Sequence, residues 1–352
     1  MAEENLKNIL DEIVKTINPR VREVIEKRFG LRTISYQTLE AIGQNMGITR
    51  ERVRQIEALG LKQLTNKNTL EPMKPVFELI ERHLTAHGGV RSEDSFLKEL
   101  TEQLFLKEKN RENLINFTLT LGKGKFVYFK ETSNWRSAWA LGAAHYNQAI
   151  ALAGALKEKL ASQNLLLQNE ALFKTAAGLG HAYRQAGDKN LTEQTLKSYV
   201  GICRQISQNP FGEWGLISSP EVSPRGVKDK AYLVFKKEKK PLHFTEVANL
   251  INKTVFSDRK AHPQTVHNEL IKDVRFVLVG RGTYALSDWG YEPGTVRDVL
   301  VSILKNSKSG LTREEIIKTV QAKRLVKENT ILLNLQNRKV FKKIDDHRFI
   351  LV

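Results

Sequence analysis

Between residues 39 and 64, Leu39, Ile42, Met46 and Ile48 are followed by Val53, Ile56 and Leu64. This spacing predicts two short amphipathic helices with a tight break at Met46-Gly47-Ile48, where Gly47 supplies a left-handed turn. Thr38 is the expected N-cap of the first helix, with Glu40 in its first turn; Thr49 is that of the second, followed by Glu51. Two helices with this break make a helix-turn-helix. On a wheel of about 100° per residue with Arg50 at zero, Arg54 falls near 40°, Glu51 near 100° and Gln55 near 140°. Val53 and Ile56 fall on the far side, near 300° and 240°, and Arg52 sits at the border near 200°. One face packs, and the other carries the side-chain types that pair with base edges in the major groove. Their place in the first two turns is that of a recognition helix.

A second pattern repeats along the rest of the chain. Thr195, Val200, Ile206, Trp214 and Leu216 share their spacing with Thr265, Leu270, Phe276, Tyr284 and Leu286, and with Thr330, Leu335, Phe341, Phe349 and Leu351. Each copy opens at helical spacing and closes on a short alternating stretch, as expected for a helix followed by a small hairpin. Gly280-Arg281-Gly282 and Asp345-Asp346-His347 stand as turns before the last strand. Helices are expected upstream at Phe244–Ile251 and Leu311–Ile317, with Thr312 and Glu315 in capping-box spacing. A fourth, less regular copy spans roughly 72–136, with Gly122-Lys-Gly-Lys125 and Phe126–Phe129 as its wing.

The fold expected is mainly α with small β wings: an N-terminal helix-turn-helix followed by tandem winged-helix units. Its divisions are 1–70, the helix-turn-helix; 71–148, an irregular winged helix with a packing helix; 149–224, a winged-helix-like unit; 225–292, a winged helix; and 293–352, a basic winged helix.

Charge sharpens this picture. The chain of 352 residues carries 56 Lys+Arg against 39 Asp+Glu, a net +17, and +12 of that lies in residues 225–352. Such a balance points to a polyanionic partner, above all nucleic acid. Cys203 is the one cysteine, which excludes an internal disulfide and a CxxC metal knuckle. The opening MAEENLKNIL is polar and acidic, unlike a signal peptide. The apolar run Ala138–Leu156 is broken by His145, Tyr146, Asn147 and Gln148, and reads as a packing helix, not a membrane span. A cytoplasmic, nucleoid-associated protein is expected.

The stretch Thr38–Leu64, with its TRERVRQIEA core, resembles region 4 of the sigma-70 family of transcription factors, and Asn18–Leu31 resembles the upstream half of that region. The resemblance implies that Arg50, Glu51, Arg54 and Gln55 read the upstream promoter element, and that the head docks on the flap of the RNA polymerase β subunit. Nothing in the chain resembles regions 2 or 3, so a complete initiation factor is not expected. Residues 225–292 resemble the HARE-HTH winged helix found in the delta subunit of bacterial RNA polymerase. The resemblance rests on Ala231–Phe235, Leu242–Val247, Thr265–Leu270 and Phe276–Leu286. Delta carries an acidic tail, whereas this chain ends basic.

Signals of other chemistry are weak. His83 and His87 have a zinc-compatible spacing, but no third ligand sits nearby and Glu81 is misplaced for HExxH, so no metal site is expected. Gly122–Lys125 lacks the context of a phosphate loop and reads as a wing tip. Cys203 is placed half-buried on a third helix, and Trp135, Trp139, Trp214 and Trp289 read as core filling at hairpin ends. No catalytic set, cofactor site or small-molecule substrate is expected. The DNA-contacting residues are Thr49, Arg50, Glu51, Arg52, Arg54 and Gln55, with Arg281, Lys342 and Lys343 as phosphate contacts. The function expected is a non-catalytic, sequence-specific, duplex-DNA-binding transcription factor. Two alternatives stay open: a polymerase-associated, delta-like protein-interaction subunit, and a subunit accompanying a nuclease.

Overall fold

The computed structural model describes residues 6–163, 165–180, 191–254, 256, 259–307, 309–344 and 348–352. They form two compact units, one of residues 1–207 with 214–216, the other of 208–213 with 217–352. No helix among the described residues is long and apolar enough to cross a membrane.

The first unit opens with α1 (Leu6–Lys15), α2 (Pro19–Phe29), α3 (Leu39–Met46) and α4 (Arg50–Leu64). Asn18 caps α2 by accepting from the Arg20 amide, Pro19 fills the first helical position, and Gly30 ends the helix at φ +63°. Val24, Ile42, Val53 and Ile56 form the small core of the helix-turn-helix, flanked by Val21, Leu39, Met46 and Ile48. Gly60 lets α2 and α4 approach, because a Cβ there would stand 2.8 Å from the Val21 side chain. A short α5 (Lys67–Leu70) leads onward.

Next come α6 (Lys74–Ala86), β1 (Val90–Ser92), α7 (Glu93–Gln103), α8 (Arg111–Leu121), β2 (Val127–Phe129) and β3 (Ala138–Ala140). The sheet order β1-β3-β2 is antiparallel throughout, with Val90 and Val127 both opposite Ala140. The irregular copy is therefore a full winged helix that runs on to Ala140. Gly122–Lys125 is not its wing tip. It is the turn from α8 into β2, closed by the Lys125 amide on the Gly122 carbonyl, and the wing loop is 130–137. A Cβ on Gly122 would stand 2.7 Å from the Phe126 ring, so the glycine makes room for an aromatic that packs on Phe77.

The apolar run also divides differently from a single helix. Ala138–Ala140 is the fully buried strand β3, and after Gly142 the chain starts α9 (Ala143–Gln163). A short continuous apolar stretch has no period by which to tell buried strand from buried helix. Beyond α9 lie α10 (Asn169–Gly180), α11 (Glu193–Ile202), β4 (Ile206–Gln208) and β5 (Trp214–Leu216). Leu167 bridges Trp214 through both backbone hydrogen bonds, a one-residue counterpart of the first strand seen in the other units. Trp135 and Trp214 pack against the core of this bundle, Trp139 against that of the first winged helix. Cys203 is the C-cap of α11 and is buried, at 2% exposure, rather than half-buried within the helix.

The second unit holds two winged helices. The first is α12 (Val227–Glu238), β6 (Leu242–His243), α13 (Phe244–Lys253), α14 (Pro263–Lys272), β7 (Phe276–Gly280) and β8 (Thr283–Leu286), with Trp289 packed on its core. The second is α15 (Val296–Lys305), β9 (Leu311–Thr312), α16 (Arg313–Lys323), α17 (Glu328–Leu335), β10 (Phe341–Lys343) and β11 (Arg348–Leu351). Their sheets are ordered β6-β8-β7 and β9-β11-β10. Thr312 and Glu315 form the capping box that starts α16, and Thr295 with Asp298 forms another at α15. Asp345-Asp346-His347 lies outside the described residues. The sequence repeat maps element for element: Thr195, Thr265 and Thr330 are each the third residue of a third helix, and Ile206, Phe276 and Phe341 each open the first wing strand.

Candidate nucleic-acid interface

The helix-turn-helix is built by local chemistry. The Thr38 and Thr49 hydroxyls accept from the Ala41 and Arg52 amides, at 3.1 and 3.2 Å, and Gly47 turns the chain at φ +65° between them. Gly43 permits the close approach of α3 to that turn, since a Cβ there would lie 2.7 Å from the Ile48 carbonyl oxygen. α4 turns Val53 and Ile56 into the core and leaves Arg50, Glu51, Arg52, Arg54 and Gln55 exposed.

Those exposed side chains hold one another. Arg54 donates from Nε to Glu51 Oε2 at 2.8 Å and from Nη2 to Glu51 Oε1 at 2.7 Å, a two-pronged pair. Gln55 Nε2 reaches the same carboxylate at 3.5 Å, and Arg52 Nη1 donates to Gln55 Oε1 at 3.1 Å. The Arg54 hydrogen bond holds the Glu51 carboxyl below its ordinary range, and Glu51 in turn raises Arg54. Behind this row Arg28 on α2 pairs with Glu57 on α4 at 3.3 Å and donates to the Gln37 carbonyl, fixing the angle between the helices.

The third helices of the winged helices fall into two classes. α8 buries Leu114, Ile115, Phe117, Thr118, Leu119 and Leu121. Asn110 donates to the carbonyls of Gly30 and Leu31, Asn113 donates to that of Ile34, and Phe117 meets Phe29 at 4.9 Å between centroids. The head covers α8. In α11 the Ser198 hydroxyl donates to the Val90 carbonyl and Tyr199 to that of Gly88, so this helix lies against the neighbouring winged helix. By contrast α14 buries Val266 and Leu270, α17 buries Ile331 and Leu335, and the rest of each is open or half-open. Arg281 sits exposed in the two-residue turn between β7 and β8, beside Gly282 at φ +68°. Lys342 and Lys343 lie exposed on strand β10, opposite Ile350 and Phe349, so they belong to the wing strand.

One cluster departs from the sequence reading. His83 and His87 do have a third potential ligand nearby: α7 brings Glu99 alongside them, and the ligand atoms of the three lie within 4.8 Å of one another. Contacts across sixteen residues leave no mark in local spacing.

Comparison with known proteins matches two separate segments of the chain. The family model for "Sigma-70, region 4" matches residues 13–66, and that for HARE-HTH, the "ASXL, restriction endonuclease HTH domain", matches residues 225–289. The N-terminal stretch is similar to the RNA polymerase sigma factor SigA of Microcystis aeruginosa, 46% identical over 68 residues, which are 19% of this chain and 15% of that protein. It is likewise similar to SigA of Listeria monocytogenes, 39% identical over 77 residues, 22% of this chain and 21% of that protein. The chain thus spans about a fifth or less of the length of these sigma factors.

Proposed function

We propose that the chain is a sequence-specific, non-catalytic transcription factor that reads duplex DNA through α4 and anchors on phosphates through its C-terminal winged helices. The observation that carries this reading is the exposed set Arg50, Glu51, Arg52, Arg54 and Gln55, at the start of a helix whose other face fills the head core. Arg54 suits guanine O6/N7, Gln55 suits adenine N6/N7, and Glu51 both orients Arg54 and accepts from cytosine N4. Thr49 and Arg52 reach phosphate. α14, α17, Arg281, Lys342 and Lys343 add contacts in a region of net charge +12, whereas the covered α8 and α11 contribute none. Binding of the purified protein to a random duplex pool, with sequencing of the bound fraction at two salt concentrations, tests it. An enriched motif that loses about 1–3 kcal/mol of discrimination in Arg54→Ala supports base reading; equal losses on specific and random duplexes overturn it.

A second reading, a polymerase-associated interaction subunit, is favoured by Ile34 and Tyr36, which stand 67% and 66% exposed on the loop between α2 and α3. It predicts polymerase capture that survives nuclease and is lost in Ile34→Ser/Tyr36→Ser.

A further inference from the structure

We propose that His83, His87 and Glu99 form a divalent transition-metal site of the zinc class, with the Gln194 side chain of α11 on its fourth side. His83 on α6 and His87, the C-cap of that helix, lie four residues apart with tilted rings whose centroids are 4.4 Å apart, and both are more than nine-tenths buried. Glu99 joins them from α7, with Oε2 2.9 Å from His83 Nε2. Bonds to zinc of about 2.0–2.2 Å draw such a trio together with small side-chain movements.

The His87 tautomer agrees with this assignment. His87 Nδ1 lies 2.8 Å from the His83 carbonyl oxygen, and that contact requires the proton on Nδ1. His87 Nε2 therefore keeps its lone pair, as in metal-ligating histidines whose other nitrogen donates to a backbone oxygen. That lone pair faces the Gln194 amide at 3.0 Å. Without an ion, Gln103 Nε2 donates to His83 Nδ1 at 2.9 Å and His83 Nε2 donates to Glu99; metal binding requires the Gln103 amide to turn its oxygen to Nδ1 and the His83 proton to move there, which frees Nε2. Arg91 grips both oxygens of Glu99; with a metal on Oε2 it retains Oε1 through Nη2 as an outer partner.

A solvent-connected cavity of about 840 Å³, lined by His83, His87, Glu99, Gln103 and Gln194, gives the ion a way in. Two imidazoles with one carboxylate, joined by the Gln194 oxygen once that amide turns over, suit zinc, cobalt or nickel better than magnesium or calcium. The ion would fasten α6 and α7 to α11, joining two winged helices within the first unit.

The test is metal loading of the full chain after dialysis against chelator. One zinc per chain is expected, together with the visible absorption of four-coordinate cobalt on Co²⁺ titration and a rise in Tm with zinc. His87→Ala and Glu99→Gln should each weaken binding by more than the roughly 10–100-fold that an outer partner costs, while His262→Ala in the second unit leaves it unchanged. Should His87→Ala fail to fold, Glu99→Gln, which keeps an acceptor for Arg91, gives the same readout. Less than one zinc per chain without the cobalt bands, or bands unchanged in Glu99→Gln, overturns the site.

Discussion

Gly43 and Gly47 belong to one turn yet answer to different constraints. A Cβ at Gly43 meets backbone, the Ile48 carbonyl at 2.7 Å, whereas at Gly47 it meets open space and the obstacle is φ +65° alone. Gly43→Ala should therefore cost about 1–3 kcal/mol as an overpacked contact. Gly47→Ala should cost about 1–2 kcal/mol, and Gly47→Asn less, since Asn tolerates the left-handed region. Urea melts of the three variants check this, and recovery by Asn at position 43 would contradict it. Glu99 gives a pH signature. Burial alone would raise its pKa, but hydrogen bonds from His83 and Arg91 outweigh that and hold it at about 2, from an ordinary 4.5. A depressed carboxyl stabilises the fold above its unfolded pKa, and the contribution fades as pH falls from about 4.5 toward 2. Acid titration of stability should show this loss in the wild type and a flatter limb in Glu99→Gln. At this scale the sequence is most legible where chemistry is local. Thr38, Gly47, Thr49 and the Thr312–Glu315 box stand within a turn of the groups they serve. Glu99 cannot be read beside His83, because α7 brings it there through the fold.

At the scale of elements, the third helices decide which winged helices have a free face. α8 is apolar nearly all round, with Leu114, Ile115, Phe117, Leu119 and Leu121 on several sides, a composition that by itself argues for burial. Phe117→Ala should destabilise the first unit by about 3–5 kcal/mol, as for other buried aromatics. Calorimetry reads that loss, and random-duplex affinity measured well below the melting point should stay within about twofold. Reversing Arg281 to Glu, or Lys342 and Lys343 to Glu, should instead leave stability nearly intact. It should also reduce the salt slope of DNA binding by about 0.9 for each phosphate no longer neutralised. Strands β1, β6 and β9 are hidden in the sequence, since two or three residues are too few to show alternation. Each runs directly into a helix: Ser92, His243 and Thr312 end a strand and serve as the next N-cap. The wing at 130–137 escapes a reading by turn residues because Gly122 and Gly124 carry the turn signal, while the true loop has no glycine.

At the scale of the molecule, net charge and the proposed recognition helix lie in different places. The helix proposed to read DNA, α4, lies in a segment of net charge +3, residues 1–70, and most of the excess lies in 225–352. Tethered modules raise one another's effective concentration without tight binding by either. Deleting residues 217–352 should lower affinity and flatten its salt dependence, yet preserve the order of preference among duplex sequences; footprinting at low salt reads both. A change in that order would place base reading in the second unit instead. The tandem architecture is visible in the repeat, whereas the covering of α8 by the head needs the fold, because Asn113 and Ile34 are far apart in sequence.

The single cysteine gives the chain an internal clock. Cys203 closes α11 at 2% exposure, with its backbone bridged to Trp135. A thiol reagent can reach it when that corner opens, so labelling of the native protein samples the opening equilibrium. Under strong reagent the labelling rate becomes the opening rate of that corner itself, without any engineered probe.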